Sequence, residues 1–339
     1  MIFFDVTKTG PAGHRSGLTR VSQRLREELA ANATEVRWPF RAAANASGRD
    51  WFLTAEIFSP DERPGFADFL RAKPLRCAAI FHDAIPLKHP HITWPQSVAR
   101  HPAYVKMLAQ FDRVWAVSEA SRRELVEFWR WQRVDRAPPV DVLGLGADFD
   151  GRPRVTARVT PAARPALLCV GIVEPRKNQA FLLEVAEALW TEGVEFDLHV
   201  VGRVNPHFGA PIVARIKAAR RKFRGLYFHE AANDATLAQL YATARASVFP
   251  TIAEGCGLPL LEALWRGVPC VCSDLPVLRE NADGGGCVAV APNDRAAWQT
   301  ALRRLLTDDA WHGELAAAAT ARALPPWRTG AQTLAAELR

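Results

Sequence analysis

The sequence predicts an α/β protein made of two doubly wound, Rossmann-like domains that face each other across a cleft. Three observations predict it. At 339 residues the chain is too long for one ordinary core and suits two of moderate size. Short apolar runs alternate with helical patterns through the first half, as strands and crossover helices of a parallel sheet do. The alternation restarts after a segment from Phe149 to Pro165 that mixes Gly, Pro, Thr and Arg with no apolar period. Residues 1–150 are expected to form the first domain and 151–326 the second, with a terminal helix over 327–339 returning to the first.

In the first domain the runs Ile2 to Val6, Arg76 to Ile80, Arg113 to Val117 and Val140 to Leu143 read as strands, with helices over Leu18 to Leu29 and Ser121 to Phe128. In the second, strands over Ala166 to Val170, Asp197 to Val201, Leu226 to His229 and Ala246 to Phe249 alternate with helices over Asn178 to Trp190, Ile212 to Arg221 and Ala235 to Ala244. Pro325 and Pro326 break the chain before an amphipathic helix over Trp327 to Leu338.

Composition narrows the function classes. With 49% hydrophobic and 23% charged residues the chain reads as soluble and globular. It has no apolar run of about eighteen residues that would span a bilayer. Asp5 lies inside the short apolar run at the start, with no basic stretch ahead, so the run reads as a strand rather than a signal peptide and the expected location is the cytoplasm. The six cysteines (Cys77, Cys169, Cys256, Cys270, Cys272 and Cys287) show neither C-x-x-C pairs nor zinc spacing and read as reduced structural thiols. The net charge of +7 divides evenly, 21 − 18 = +3 over residues 1–150 and 22 − 18 = +4 over the remainder. That evenness argues against a nucleic-acid-binding arm and suits phosphorylated substrates or an anionic lipid surface.

The strongest local signal is VFPTIAEGCGLPLLEALWRGVPCVCSD. An apolar strand ends, Glu254 opens a turn through Gly255, Cys256 and Gly257, and Leu258 and Pro259 lead into a helix carrying Glu262. The free amides and positive dipole end of such a helix can bind a diphosphate, and the glycines let the backbone come close. A Glu in a first helical turn also serves simply as a dipole complement. Glu254 would repel a phosphate there unless it addresses another part of the ligand, for which sugar or ribose hydroxyls are the natural targets.

In LLCVGIVEPRKNQAFLLEVAEAL a strand gives way to Gly171, and Asn178 reads as the cap of a helix just behind Arg176 and Lys177. Two cations at a helix start oppose the macrodipole, so they are either solvated or joined by an anion, for which a diphosphate is preferred. In AAIFHDAIPL, His82 and Asp83 follow a strand at the carboxyl edge where open α/β sheets place ligands, although a lone histidine is also an ordinary structural residue. In HRSGLTRVSQRL, Gly17 and Arg20 begin the first helix, where phosphate-binding loops lie, without the G-x-G-x-x-G of a dehydrogenase. The segment SRRELVEFWRWQRV interleaves Leu125, Phe128 and Trp129 with arginines. It reads either as a core-packing helix or as one suited to a membrane interface. The run RIKAARRKFRG reads as a solvated helix face, with contact to lipid headgroups as the alternative.

Taken together, SGLTRV, FHDAIP, VSEASRREL, VGIVEPRKN, LAQLYATARASVFPTIAEGCGLPLLEAL and SDLPVLRE resemble the family 4 glycosyltransferases of the GT-B fold, retaining enzymes that need no metal. The resemblance covers nearly the whole chain, and its most specific element is the glutamate pair Glu254 and Glu262. It implies that Glu262 holds the nucleotide ribose, Glu254 contacts the transferred sugar, Lys177 binds the diphosphate and His82 faces the sugar near the reacting carbon. Gly17, Arg20, Gly171, Arg176, Gly255, Cys256, Gly257 and Leu258 complete the implied donor site. Two positions depart from the pattern. Ile172 stands where many relatives carry a phosphate-binding arginine, a charge Arg176 is expected to supply, and Cys256 replaces the commoner aromatic.

What the resemblance implies is front-face transfer of a hexose, expected to be mannose from GDP-mannose, to a saccharide or polyprenyl-diphosphate-linked acceptor at the inner face of a membrane. HDAIP, EPRKN and SDLPVLRE look like bacterial mannosyl- and rhamnosyltransferases of cell-surface polysaccharide and lipopolysaccharide assembly. A nucleotide-sugar epimerase and a non-catalytic sugar-nucleotide-binding protein are the other readings.

Overall fold

A computed structural model describes residues 1–11, 17–40, 48–157, 164–230 and 232–339. His14, Arg15 and Ser16 of the first helix motif, and residues 158–163 of the segment between the expected domains, lie outside the described residues. The chain divides into two compact units, Met1–Gly146 with Pro325–Arg339, and Ala147–Leu324.

Among the described residues, the first unit holds six parallel strands, β1 (Ile2–Asp5), β2 (Ala33–Val36), β3 (Trp51–Thr54), β4 (Arg76–Phe81), β5 (Arg113–Ala116) and β6 (Val140–Val142), in the order β2-β1-β3-β4-β5-β6. The inner strands are apolar almost throughout because helices cover both faces of the sheet. On one face Phe52, Cys77 and Ala79 pack under Phe66, Tyr104, Leu108, Leu125 and Trp129. β2 and β3 are absent from the sequence reading for opposite reasons. β2, Ala-Thr-Glu-Val, is a short, half-exposed edge strand with polar residues, and β3, Trp-Phe-Leu-Thr, is buried throughout and too short to show a period.

The sequence reading also leaves out a buried charge cluster at the carboxyl ends of β1 and β3. Arg63, 2% exposed, pairs with Asp5 at 2.7 Å and with Glu56, both carboxylates being buried. Thr54 donates to Asp5 at 2.7 Å, and the Glu56 carboxylate accepts the backbone N–H groups of Lys8 and Thr9, each at 2.7 Å. Burial and the neighbouring Asp5 push the Glu56 carboxyl above its ordinary value, against the opposing pull of Thr9 and Arg63. The cluster fastens the turn after β1 to the segment after β3.

The terminal helix, Trp327–Glu337, packs on the first helix, Gly17–Leu29, within this unit. Trp327 is buried against the chain just after β6, so closely that a Cβ at Gly146 would come 2.2 Å from the Trp327 backbone nitrogen. Only glycine fits there.

The second unit holds, among the described residues, β7 (Ala166–Val170), β8 (Asp197–Val201), β9 (Leu226–His229), β10 (Ala246–Phe249), β11 (Cys270–Ser273) and β12 (Cys287–Val290), all parallel, in the order β12-β11-β10-β7-β8-β9. Leu182, Ile216 and Leu302, from the helices Gln179–Thr191, Gly209–Lys222 and Arg295–Thr307, cover one face. Leu237, Tyr241 and Ala263, from Asp234–Thr243 and Leu258–Trp265, cover the other. β11 and β12, again absent from the sequence reading, are cysteine-bearing four-residue strands whose thiols are free.

Two stability predictions follow from the first unit. Gly146→Ala should cost about 2 kcal/mol or more by driving a methyl into the Trp327 backbone. Arg63→Leu should cost about 3–5 kcal/mol by leaving two buried carboxylates without their cation. Chemical denaturation measures both, and an unchanged midpoint in either variant would contradict the packing described.

Candidate functional site

In the second unit the chain runs from β7 outward through β8 and β9, then returns to the other side of β7 with β10, β11 and β12. The strand order therefore reverses between β7 and β10, and the loops leaving their carboxyl ends diverge to form the crevice in which doubly wound sheets bind ligands. Those two loops carry the two strongest motifs. After β7 come Gly171 and the short 3-10 turn Pro175–Lys177, and after β10 comes the Gly-rich turn into the helix Leu258–Trp265.

The loops are joined by charge. Lys177 donates from Nζ to Oε1 of Glu254, and Arg176 reaches the same oxygen at 3.0 Å. Thr251 Oγ1 donates to it at 2.8 Å. Arg176 is held further by Glu174, at 2.8 Å from its Nη2, and by the Ala253 carbonyl, at 2.9 Å. Asn205 Nδ2 donates to the other oxygen of Glu174 at 2.8 Å. The backbone closes the joint, since Ile252 N–H donates to the Arg176 carbonyl at 2.9 Å.

Lys177 is 8% exposed, with its ammonium 4.8 Å from the centre of the Phe249 ring and its stem passing over Gly171. Burial lowers its pKa, and Arg176 adds to that lowering while Glu254 opposes it. Burial pushes the Glu254 carboxyl up, yet the charges of Lys177 and Arg176 outweigh it, with hydrogen bonds from Lys177 and Thr251, and hold the carboxyl below its ordinary value.

This arrangement adds to one sequence expectation and corrects another. Within the protein Arg176 and Lys177 share a counter-charge that the sequence reading did not pair with them, the Glu254 carboxylate, 77 residues from Lys177. Asn178 does not cap the helix Gln179–Thr191. Its backbone is left-handed, φ 58°, where an N-cap needs an extended conformation, and its side chain donates to Asn293 at 2.9 Å instead.

Gly257 has φ +83° and opens the helix Leu258–Trp265, with Pro259 in its first turn. The turn is braced from outside by Asn281, whose Nδ2 donates to the Cys256 carbonyl at 2.5 Å. The Cys256 thiol is pushed up to about 12 by burial, chiefly, and by the nearby Glu254 and Glu280. Gly255 and Leu258 are buried beside it, and Glu262, one turn into the helix, is only 1% exposed.

Gly17, Arg20 and His82 belong to the first unit. Gly17 is exposed and Arg20 half-buried at the start of the first helix. His82, buried after β4, has its Nε2 2.8 Å from the Ala55 carbonyl, while its own carbonyl accepts from Ser121 at 2.9 Å. Burial, the largest effect, lowers its pKa. FHDAIP is thereby tied to VSEASRREL. His101, which the sequence reading does not single out, adds a contact of 3.0 Å to the Asp83 carbonyl. Of the segment's apolar residues, Leu125 and Trp129 are core, Trp129 donating to the Val105 carbonyl at 2.9 Å. Phe128 packs against that core, and Trp131 is 74% exposed. In RIKAARRKFRG, Ile216 and Ala219 face the core and Arg215 pairs with Glu184 at 3.0 Å.

The family model for glycosyl transferases group 1 matches residues 164–308, which include both loops. Over 244 residues the chain is 31% identical to the serotype-specific mannosyltransferase WbdA of Escherichia coli, a match covering 68% of this chain and 29% of that protein. The chain thus spans less than a third of the length of that relative. HepE of Anabaena, solved with UDP and glucose, matches 99% of this chain and 98% of its own with a TM-score of 0.71 at 15% identity. Sucrose-phosphate synthase of Thermosynechococcus elongatus matches 98% and 96% with a TM-score of 0.70 at 18% identity. At such identities the two structures speak for the fold, two parallel six-stranded sheets of the GT-B type. Residues 164–308, which carry Lys177, Glu254 and Glu262, form a glycosyl transferases group 1 domain.

Proposed function

We propose that this protein is a retaining glycosyltransferase that moves mannose from GDP-mannose to a glycan or polyprenyl-diphosphate-linked acceptor, working at the inner face of a membrane. The observation that carries the reading is the meeting of Lys177 and Glu254 at the reversal of strand order, beside the amino end of the helix Leu258–Trp265. A departing nucleoside diphosphate needs fixed positive charge and backbone amides, and both converge there. Mannose is proposed because the mannosyltransferase WbdA is 31% identical over the matched region. The exposed Trp131, on a helix bearing Arg123 and Arg130, supports a membrane-side acceptor.

In the proposed reaction the amides at Gly257 and Leu258 hold the diphosphate, Lys177 neutralises it as the glycosidic bond breaks, and Glu262 holds the ribose. Glu254 takes the sugar hydroxyls, and Gly171 lets the Lys177 stem pass. The leaving phosphate accepts the proton of the acceptor hydroxyl on the same face, which preserves the anomeric configuration. No metal is assigned a step.

The primary test is a thermal-shift screen against GDP-, UDP- and dTDP-sugars, followed by incubation of the donor that binds, with and without glycan acceptors. Transfer of mannose is expected, and conversion of the donor without acceptor would point to an epimerase instead. Lys177→Ala should lower turnover by about 10² to 10³ if its charge acts in the transition state, with donor binding affected less. Unchanged turnover would remove it from the chemistry. Since burial lowers the Lys177 pKa from the ordinary 10.5, the charged ammonium is lost as pH rises through that lowered value. The pH profile of kcat/KM should therefore fall on an alkaline limb below 10.5. In Lys177→Arg the limb should move to higher pH.

A further inference from the structure

We propose that Glu254 is a resident counter-ion that competes with diphosphate for Lys177, and that the donor site thereby selects an intact nucleotide sugar over the bare nucleoside diphosphate. The inference rests on the donor-site reading above and adds what the free site does before a ligand arrives.

Three donors converge on one oxygen of Glu254: the Lys177 ammonium, the Arg176 guanidinium at 3.0 Å and the Thr251 hydroxyl at 2.8 Å. The two side chains of the Lys177–Glu254 pair are 10% and 8% exposed, so their charges interact with little screening by water. A diphosphate entering this crevice brings at least two negative charges to cations that already have a partner. It must draw Lys177 away or lie against a buried carboxylate.

The cations differ in how firmly they are held. Arg176 stays pinned by Glu174 and the Ala253 carbonyl whatever Glu254 does, and Glu174 is itself secured by Asn205. Lys177 has, besides Glu254, the face of the Phe249 ring. Lys177 is therefore the cation that changes partner. The carboxylate it leaves keeps Arg176 and Thr251 but loses its nearest charge partner, a cost while it is buried unless another donor takes that place. A sugar attached to the diphosphate supplies hydroxyl donors for that carboxylate, whereas the hydroxyls of a bare nucleoside diphosphate are those of its ribose, which Glu262 takes in the proposed site. Glu254 thus weakens the product complex more than the donor complex, which favours product release.

The test is calorimetric titration of wild type, Glu254→Gln and Thr251→Val with inorganic pyrophosphate and with GDP, at one fixed salt concentration. Titration with GDP-mannose and a melting curve accompany each variant. Removing the competing charge should tighten pyrophosphate and GDP binding about ten- to a hundredfold in E254Q. Removing the Thr251 donor leaves Glu254 more dependent on Lys177 and should weaken pyrophosphate binding a few-fold in T251V, whose near-isosteric change keeps the test alive should E254Q fail to fold. GDP-mannose should gain less than GDP, narrowing the preference for the sugar-bearing ligand. Pyrophosphate binding that is equal or weaker in folded E254Q, or equal or tighter in T251V, while wild type binds it, would overturn the counter-ion role and leave the donor site standing. Wild type that binds neither pyrophosphate nor GDP would overturn both.

Discussion

A buried carboxylate with two cations around it ties together the loops of the second unit. Glu254 joins the turn after β10 to the turn after β7, and since these are adjacent strands of one sheet, the pairing sets the width of the crevice between them. Removing one member of such a buried group typically costs about 3–5 kcal/mol, because the remaining charges stay out of water. The surrounding polar groups serve the same knot: Thr251, Glu174 and Asn205 satisfy hydrogen-bonding positions that Glu254, Arg176 and Lys177 cannot satisfy among themselves. The helix Leu258–Trp265 then begins at a fixed distance from the cations because Gly257 permits the sharp entry to it.

The two units solve the same topological problem differently. In the first, strand order reverses between β1 and β3, and the ends of those strands are filled by the protein's own charges, Arg63 against Asp5 and Glu56. Every member of that group is almost fully buried, and Glu56 spends its carboxylate on the backbone of the turn after β1. In the second unit the equivalent place is occupied by a lysine with a long, flexible stem and a carboxylate that sugar hydroxyls can satisfy. One crevice is filled by a fixed buried cluster, and the other holds the proposed donor site.

Most strands of both sheets are legible in the sequence, because runs buried on both faces are continuously apolar. Ala166–Val170, Asp197–Val201, Leu226–His229 and Ala246–Phe249 fall where the runs put them. Among the strands that escape, Ala33–Val36 is a half-exposed edge segment whose polar residues leave no continuous apolar run. For the site, Glu254, Lys177 and Glu262 stand out through a Gly-rich turn, a dipole argument and a seven-residue spacing. Their partners do not, since a local argument about Lys177 has no knowledge of a carboxylate 77 residues away. Asp5 is conspicuous as an acid in an apolar strand, but Arg63 is 58 positions further on and looks like any surface arginine until the chain folds. Asn178 has the right chemistry for a cap and the wrong backbone angle, and only coordinates reveal an angle.

The docking of Trp327 beside Gly146 gives the two halves unequal genetic architectures. The second unit is encoded by one uninterrupted stretch, 147–324, whereas the first is assembled from two separated pieces. A clone of the second unit needs only one pair of cut points. A clone of the other half needs the codons for the terminal helix rejoined to those for the body, by a circular permutation that links residue 339 to residue 1 or by a short bridge from Gly146 to Pro325.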